Sequence, residues 1–185
     1  VYKQVYNEAG NPIEGAYVDR NGDNQINDDD KYLYKDPNAD ITMGLNTNLN
    51  FKNWDLSIVS RANLGNYAYN NMASSRAHLN RATANNILTN LHTDYYNAGF
   101  QNITETNLQS DYYVQEASFF KLDNITLGHT FDNIMEASNL RIYGTVQNVL
   151  TITDYEGLDP EIDGGIDNNF YPRPRTFTVG VNLNF

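Results

Sequence analysis

The chain has 185 residues, 23 of them acidic and 12 basic, for a formal net charge of −11, and it has no cysteine. That balance excludes the basic footprint of a nucleic-acid binder, and the missing thiols exclude disulfides, thiolate metal sites and cysteine nucleophiles. A mean hydropathy of −0.61, with no apolar run near the ~18 residues a membrane helix needs, excludes a transmembrane helix but not a β-barrel, whose strands are only half apolar.

The first residue is Val1, and no signal-like segment opens the sequence. A piece of something longer, or a processed chain, is expected. Residues 1–40 contain the strongest local motif, DRNGDNQINDDD, from Asp19 to Asp30. Its spacing is that of an EF-hand-type calcium loop. Asp19, Asn21 and Asp23 supply side-chain oxygens at alternate positions, Gln25 a backbone carbonyl, and Asp30 the closing carboxylate. Asn24 stands where glycine is usual, and asparagine tolerates the left-handed backbone required there. The expectation is a structural calcium ion; the bland reading is an acidic turn without metal.

Residues 41–51, ITMGLNTNLNF, alternate apolar and polar, with Asn46, Asn48 and Asn50 on the polar side. After Lys52 and Asn53 the pattern resumes over 54–65, so the two segments predict a hairpin with Phe51 and Trp54 at its tight end. Asp55, Arg61 and Asn63 lie on its polar face. The long stretch 66–116 has a helical tendency over Met72–Leu91, with Ser74 or Ser75 as cap. A third strand is expected over 117–131. There Phe120 and Leu122 are out of phase with Ile125, Leu127 and Phe131. A β-bulge near Asp123 explains the slip, as does projection of that part beyond a membrane. A fourth strand is expected over 139–150, with Leu140, Ile142, Gly144 and Val146 opposite Arg141, Tyr143, Thr145 and Gln147. After a second long connection, 151–174, the segment 175–185 alternates without a break: Phe177, Val179, Val181, Leu183 and Phe185 share one face. About ten residues of alternation are what a tilted strand needs to cross a bilayer.

The fold class is therefore all-β. Short turns alternating with long loops are the signature of an antiparallel transmembrane barrel, with the short turns periplasmic. On that reading 66–116, 151–174 and most of 1–40 are extracellular. Five strands close no membrane barrel, because the smallest has about eight, so the rest of the barrel must come from elsewhere. The alternative is a soluble, calcium-stabilised β-domain that binds carbohydrate. Aromatic rings gather in the long loops, and Tyr112, Tyr113, Tyr155, Asn168, Asn169 and Phe170 are candidates for contact with a ligand or partner. Catalysis finds no support: His78, His92 and His129 have no metal-ligand spacing, and no nucleophile elbow or phosphate loop is present. No enzyme is expected.

Several stretches in order, GAYVDRNGDNQINDDDKY, NWDLSIVSRANLGNYAYN, ASFFKLDNITLGHTF, LRIYGTVQNVLTITDYEGLDPE and GIDNNFYPRPRTFTVGVNLNF, resemble the C-terminal part of SusC/RagA-type TonB-dependent outer-membrane transporters of Bacteroidetes. The resemblance implies the last five strands of a 22-stranded barrel, with Phe185 as its assembly signal. It implies a plug, a SusD-like surface lipoprotein as lid, and import of oligosaccharides or peptides driven by TonB through a part of the protein that this sequence does not contain. Outer-membrane lipid is the surrounding partner.

Overall fold

The computed structural model describes all residues except 87, 103–108, 136–137, 169–170 and 185. Asn169, Phe170 and Phe185 of the candidate residues thus lie outside the described part. The chain divides into two units: a sheet unit of Ala39–Gly65, Ser118–Asp154 and Tyr171–Phe185, and a loop unit of Val1–Asn38, Asn66–Ala117 and Tyr155–Phe170. Seventeen of the 23 acidic residues but only six of the 12 basic ones belong to the loop unit. It therefore carries the entire net charge, and the sheet unit is neutral.

The loop unit opens with β1 (Gln4–Tyr6), paired antiparallel to β2 (Pro12–Tyr17). The sheet unit follows with β3 (Ile41–Phe51) and β4 (Trp54–Leu64), joined by the turn at Lys52 and Asn53. Next in the chain, and back in the loop unit, β5 (Tyr67–Tyr69) and β6 (Val114–Glu116) form a small antiparallel pair. Between them lie α1 (Asn71–Arg76) and the single turn α2 (Tyr95–Ala98). The sheet unit is completed by β7 (Phe119–Met135), β8 (Ser138–Thr153) and β9 (Thr176–Asn184). The five long strands form one antiparallel sheet in sequence order, β3-β4-β7-β8-β9.

Register explains the face each residue takes. Leu49, Leu56, Leu127, Gly144 and Val179 are partners in one cross-sheet row, and Trp54, His129, Ile142 and Val181 in the next. The apolar face is open: Val179 is 80 % exposed, Phe177 73 % and Phe51 70 %. In a protein folded in water this would be the buried side. The slip in β7 is resolved by a bulge. Val59 pairs with Asn124 and Ser60 with Leu122, which leaves Asp123 as the extra residue. Phe120 and Leu122 thereby join the face of Ile125 and Leu127. β8 carries a further extra residue against β7, between the partners of Leu122 and Asn124, and Asn148 there has a left-handed φ of 52°.

The helix expected over Met72–Leu91 is shorter. Its cap is Asn70, whose side chain accepts the Ala73 amide at 2.9 Å, not Ser74 or Ser75. It ends at Arg76 because the following backbone is drawn to distant partners: Leu79 donates to the Phe100 carbonyl and Asn80 to that of Gln101. A 3-10 segment, Leu79–Asn86, follows. The loop unit's core consists of two small clusters, Ala73, Ala98, Phe100 and Tyr113 in one, Ala68, Ala117 and Tyr155 in the other. Buried Gln4 ties the N-terminal hairpin to the unit. It donates to the carbonyls of Ile13 and Ala16 at 2.7 and 3.1 Å and accepts from the Ser110 hydroxyl at 2.8 Å.

Candidate functional site

The polar face of the sheet is built from residues whose side chains meet across strands. Asp55 on β4 and Arg141 on β8 are not neighbours; β7 runs between them. They pair at 2.6 and 2.8 Å because the β7 residue between them is Gly128. A Cβ at Gly128 would fall 2.5 Å from an Asp55 oxygen. Arg61 reaches the bulge residue Asp123 at 2.8 Å. The Thr126 and Thr145 hydroxyls share a hydrogen bond of 2.8 Å. Tyr143 leans over Gly180 of β9, where a Cβ would lie 2.2 Å from its ring, and the Arg141 guanidinium stacks on that ring at 4.7 Å. This face is a wall of paired charges, amides and hydroxyls. Sequence periodicity placed these residues on one side, but only the two glycines, small positions among larger ones, hinted at which pairs meet.

In the loop unit the candidate residues have different fates. Tyr113 is 1 % exposed and Tyr155 5 %, so both rings are packed inside. Tyr155 donates to Asp167 at 2.9 Å. Half-buried Tyr112 donates to Asp94 at 2.9 Å. Burial, and then the adjacent carboxylates Asp167 and Asp94, raise the phenol values of Tyr155 and Tyr112, so these donors stay protonated. Asn168 is exposed and accepts from Asn71 at 2.7 Å.

Asn168 also lines a pocket of about 590 Å³ that the sequence reading missed. Its walls are Tyr32, Tyr34, Tyr67 and Tyr69, with Lys35 and Asn71. The Lys35 ammonium lies 4.4 Å from the Tyr67 ring centre and donates to the Tyr67 hydroxyl at 3.3 Å. Burial pushes Tyr69 up to about 12. Among the described residues no carboxylate lines the pocket, although the unit around it is acidic. The available signal was the run KYLYK at 31–35 with YAY at 67–69, aromatic residues at alternate positions in short extended segments.

The 19–30 loop is wrapped around its own backbone. Asp19 accepts the amides of Gly22 and Asn24 at 2.6 and 2.7 Å. Asn21 and Asp23 accept those of Asp23 and Gln25. Buried Asp30 accepts from Arg20 at 2.7 Å and Asn27 at 3.0 Å. Those amides of Asn27 and Arg20 hold its carboxyl below the ordinary value. Asn24 has φ 61°, the left-handed conformation that the loop position requires. No three acidic or histidine side chains converge on one point among the described residues. Each carboxylate oxygen that accepts one amide keeps a second lone pair, so the donor set remains chemically suited to a hard cation.

No protein-family model matches the chain. Over its whole length it is 42 % identical to the TonB-dependent receptor SusC of Bacteroides thetaiotaomicron. It belongs to the SusC/RagA-type TonB-dependent receptors. It is also 31 % identical, again over its whole length, to the TonB-dependent receptor P3 of Formosa agariphila. The chain spans 19 % of the first of these relatives and 21 % of the second. Among solved structures, 87 % of the chain superposes on 19 % of a chain of the RagAB peptide transporter, with a TM-score of 0.69 at 24 % identity. It also matches the RagAB peptide importer in its 'closed-closed' state, with a TM-score of 0.66 at 20 % identity. For this SusC/RagA-type segment the open apolar face has its explanation: the sheet is a section of an outer-membrane β-barrel wall. These relatives are receptors and transporters, not enzymes.

Proposed function

We propose that the receptor containing this segment imports oligosaccharides or peptides across the outer membrane, powered through TonB and capped by a SusD-like surface lipoprotein. The observation that carries this reading is the 42 % identity to SusC over the whole segment. The segment's share is architectural. The polar face, with Asp55–Arg141 and Arg61–Asp123, lines the lumen or meets the plug. The loop unit faces the outside, and its tyrosine-lined pocket, with Asn168 on its rim, is its contact for cargo or lid. The test is growth of a strain lacking the receptor on a panel of oligosaccharides and peptides as sole nutrients. Loss of growth on one class names the cargo. Undiminished growth and uptake across the panel overturn the reading.

Calcium is the proposed structural ion of the 19–30 loop, with Asp19, Asn21, Asp23 and Asp30 as side-chain donors and the Gln25 carbonyl as the fifth. This reading rests on the spacing and on the left-handed Asn24. Titration calorimetry of the receptor is expected to show saturable calcium binding that Asp19→Ala weakens. No heat at millimolar calcium rejects the site.

A further inference from the structure

Val1 stands in the middle of a backbone ladder. Its nitrogen donates to the Tyr32 carbonyl at 3.1 Å, and the Tyr32 amide donates to the Val1 carbonyl at 2.9 Å. This two-way exchange is the hydrogen-bonded pair of antiparallel strands. One residue later the same strand is held on its other edge, where Tyr2 donates to the Gln109 carbonyl at 2.7 Å and accepts from the Asp111 amide at 2.8 Å. The Val1 nitrogen thus occupies the place of a neutral strand amide. An ammonium suits that place poorly: burial, and then the Lys31 cation, hold the amino group below its ordinary value.

Past Tyr32 the ladder breaks off. The Tyr32 and Tyr34 rings lie 5.6 Å apart, as side chains two residues apart on one face of an extended chain do. Hydrogen-bonded pairs recur at every second residue of an antiparallel ladder, so the Tyr34 backbone faces the edge that Tyr32 uses for Val1. It makes no hydrogen bond among the described residues, and Tyr34 is 44 % exposed. Two residues further on the edge is taken again, where Tyr67 donates to the Asp36 carbonyl at 3.0 Å. The gap therefore lies between Val1 and Tyr67. It coincides with the tyrosine-lined pocket, whose lining includes Val1, Tyr32, Tyr34, Lys35 and Tyr67.

We propose that this gap is filled by the receptor's own chain. The two residues ahead of Val1 continue its strand antiparallel to Leu33 and Tyr34, and the second of them exchanges both backbone hydrogen bonds with Tyr34. Connectivity selects this occupant. The segment spans 19 % of SusC, and a strand extends in the direction it already runs, so the residue joined to the Val1 nitrogen comes to lie beside Leu33. A cargo peptide or lid strand paired with Tyr34 would have to end against that residue. Beyond the pair at Tyr34 the Tyr67 contact closes the edge, and the chain turns away from it. The side of the pocket toward Asn71 and Asn168 is left for cargo or lid. The proposal concerns the receptor's fold, so its failure leaves the import reading untouched.

The test starts with hydrogen exchange of the full-length receptor, free of lipoprotein and cargo and resolved at single amides. The Tyr34 amide is expected to be protected to the same order as that of Tyr32. Exchange at the rate of an open amide overturns the proposal. A cysteine at the second residue ahead of Val1, combined with Tyr34→Cys, then identifies the cover. Hydrogen-bonded antiparallel partners stand about 5.5 Å apart at Cα, within reach of a disulfide. The disulfide is expected in receptor that keeps the heat-modifiable migration of a folded barrel, as for the observed pair Val1→Cys with Tyr32→Cys. It is not expected when the upstream cysteine is moved two residues further from Val1. Protection of Tyr34 without the disulfide assigns the edge to another loop and overturns the proposal as well. Should the cysteine variants fail to assemble, the exchange of the unmodified receptor decides.

Discussion

Gly128 shows how much of the polar face rests on a single missing atom. Asp55 and Arg141 belong to strands that never touch, and their ion pair spans β7 through the space above this glycine. Gly128→Ala places a methyl group 2.5 Å from an Asp55 oxygen and 2.6 Å from an Arg141 nitrogen, and the ends of both side chains must swing aside, which opens the pair. Overpacking against groups that cannot move costs about 1–3 kcal/mol, and these side-chain ends can move, so the cost falls toward or below the low end of that range. The pair is partly solvated, so its own loss adds little. The expected outcome is a lower urea midpoint for the refolded receptor, and an unchanged midpoint removes Gly128 from this role. Asp30 makes a second prediction at this scale. Its folded carboxyl lies below the ordinary value of 3.8 because it accepts backbone amides of Asn27 and Arg20. A depressed carboxyl contributes stability that is complete above the unfolded value and fades as pH falls through the folded one. Hydrogen-exchange protection of the Arg20 and Asn27 amides is therefore expected to decline on acidification below that ordinary value. Asp30→Asn should flatten the decline, and protection in the wild type that ignores pH throughout this range would sink the argument.

At the scale of the element, β7 decides whether the wall has one apolar face or two half-faces. One extra residue in a strand exchanges the faces of everything beyond it, because side chains alternate with period two. Asp123 is that residue, and Arg61 holds it at 2.8 Å. Deleting Asp123 would turn Phe120 and Leu122 toward the polar side and bring Lys121 to the lipid side. A lysine facing lipid costs about 2–4 kcal/mol at mid-bilayer and less near the interface. The deletion is expected to reduce the amount of receptor in the outer membrane, measured by surface labelling against the wild type; normal levels would refute the register. The sequence made part of this legible. Strict alternation marked β3, β4, β8 and β9, and the loss of phase between Leu122 and Ile125 marked the slip. It did not separate a bulge from a projecting segment, because both give the same pattern and only the pairing with Val59 and Ser60 distinguishes them. The helix after Asn70 was overestimated for a related reason. Leucine spacing is local, whereas the hydrogen bonds of Leu79 and Asn80 that end the helix go to Phe100 and Gln101. Likewise composition showed that tyrosines gather in the loops, but not that Tyr113 and Tyr155 are buried while Tyr34 and Tyr67 line a pocket.

For the whole molecule, average hydropathy misleads because it combines two units of opposite character. The loop unit holds the full charge of −11, and the sheet unit is neutral with an apolar face open to its surroundings. The consequence is testable on the 185-residue chain itself. Its β3 and β9 edges expose unpaired backbone groups, a template for further strand pairing, and five strands fall short of the roughly eight that close the smallest membrane barrel. Leu49, Phe51, Phe177 and Val179 are exposed on the sheet unit, so in water the sheets must bury that face against one another. Without detergent the chain is expected to be aggregated and to show no cooperative unfolding transition. In detergent micelles, which cover the apolar face but leave the edges unpaired, it is expected to disperse into small oligomers. Light scattering during size-exclusion chromatography distinguishes these states. A monodisperse monomer that unfolds cooperatively without detergent would require the apolar face to be buried within one chain, and would restore the soluble β-domain in place of the barrel wall.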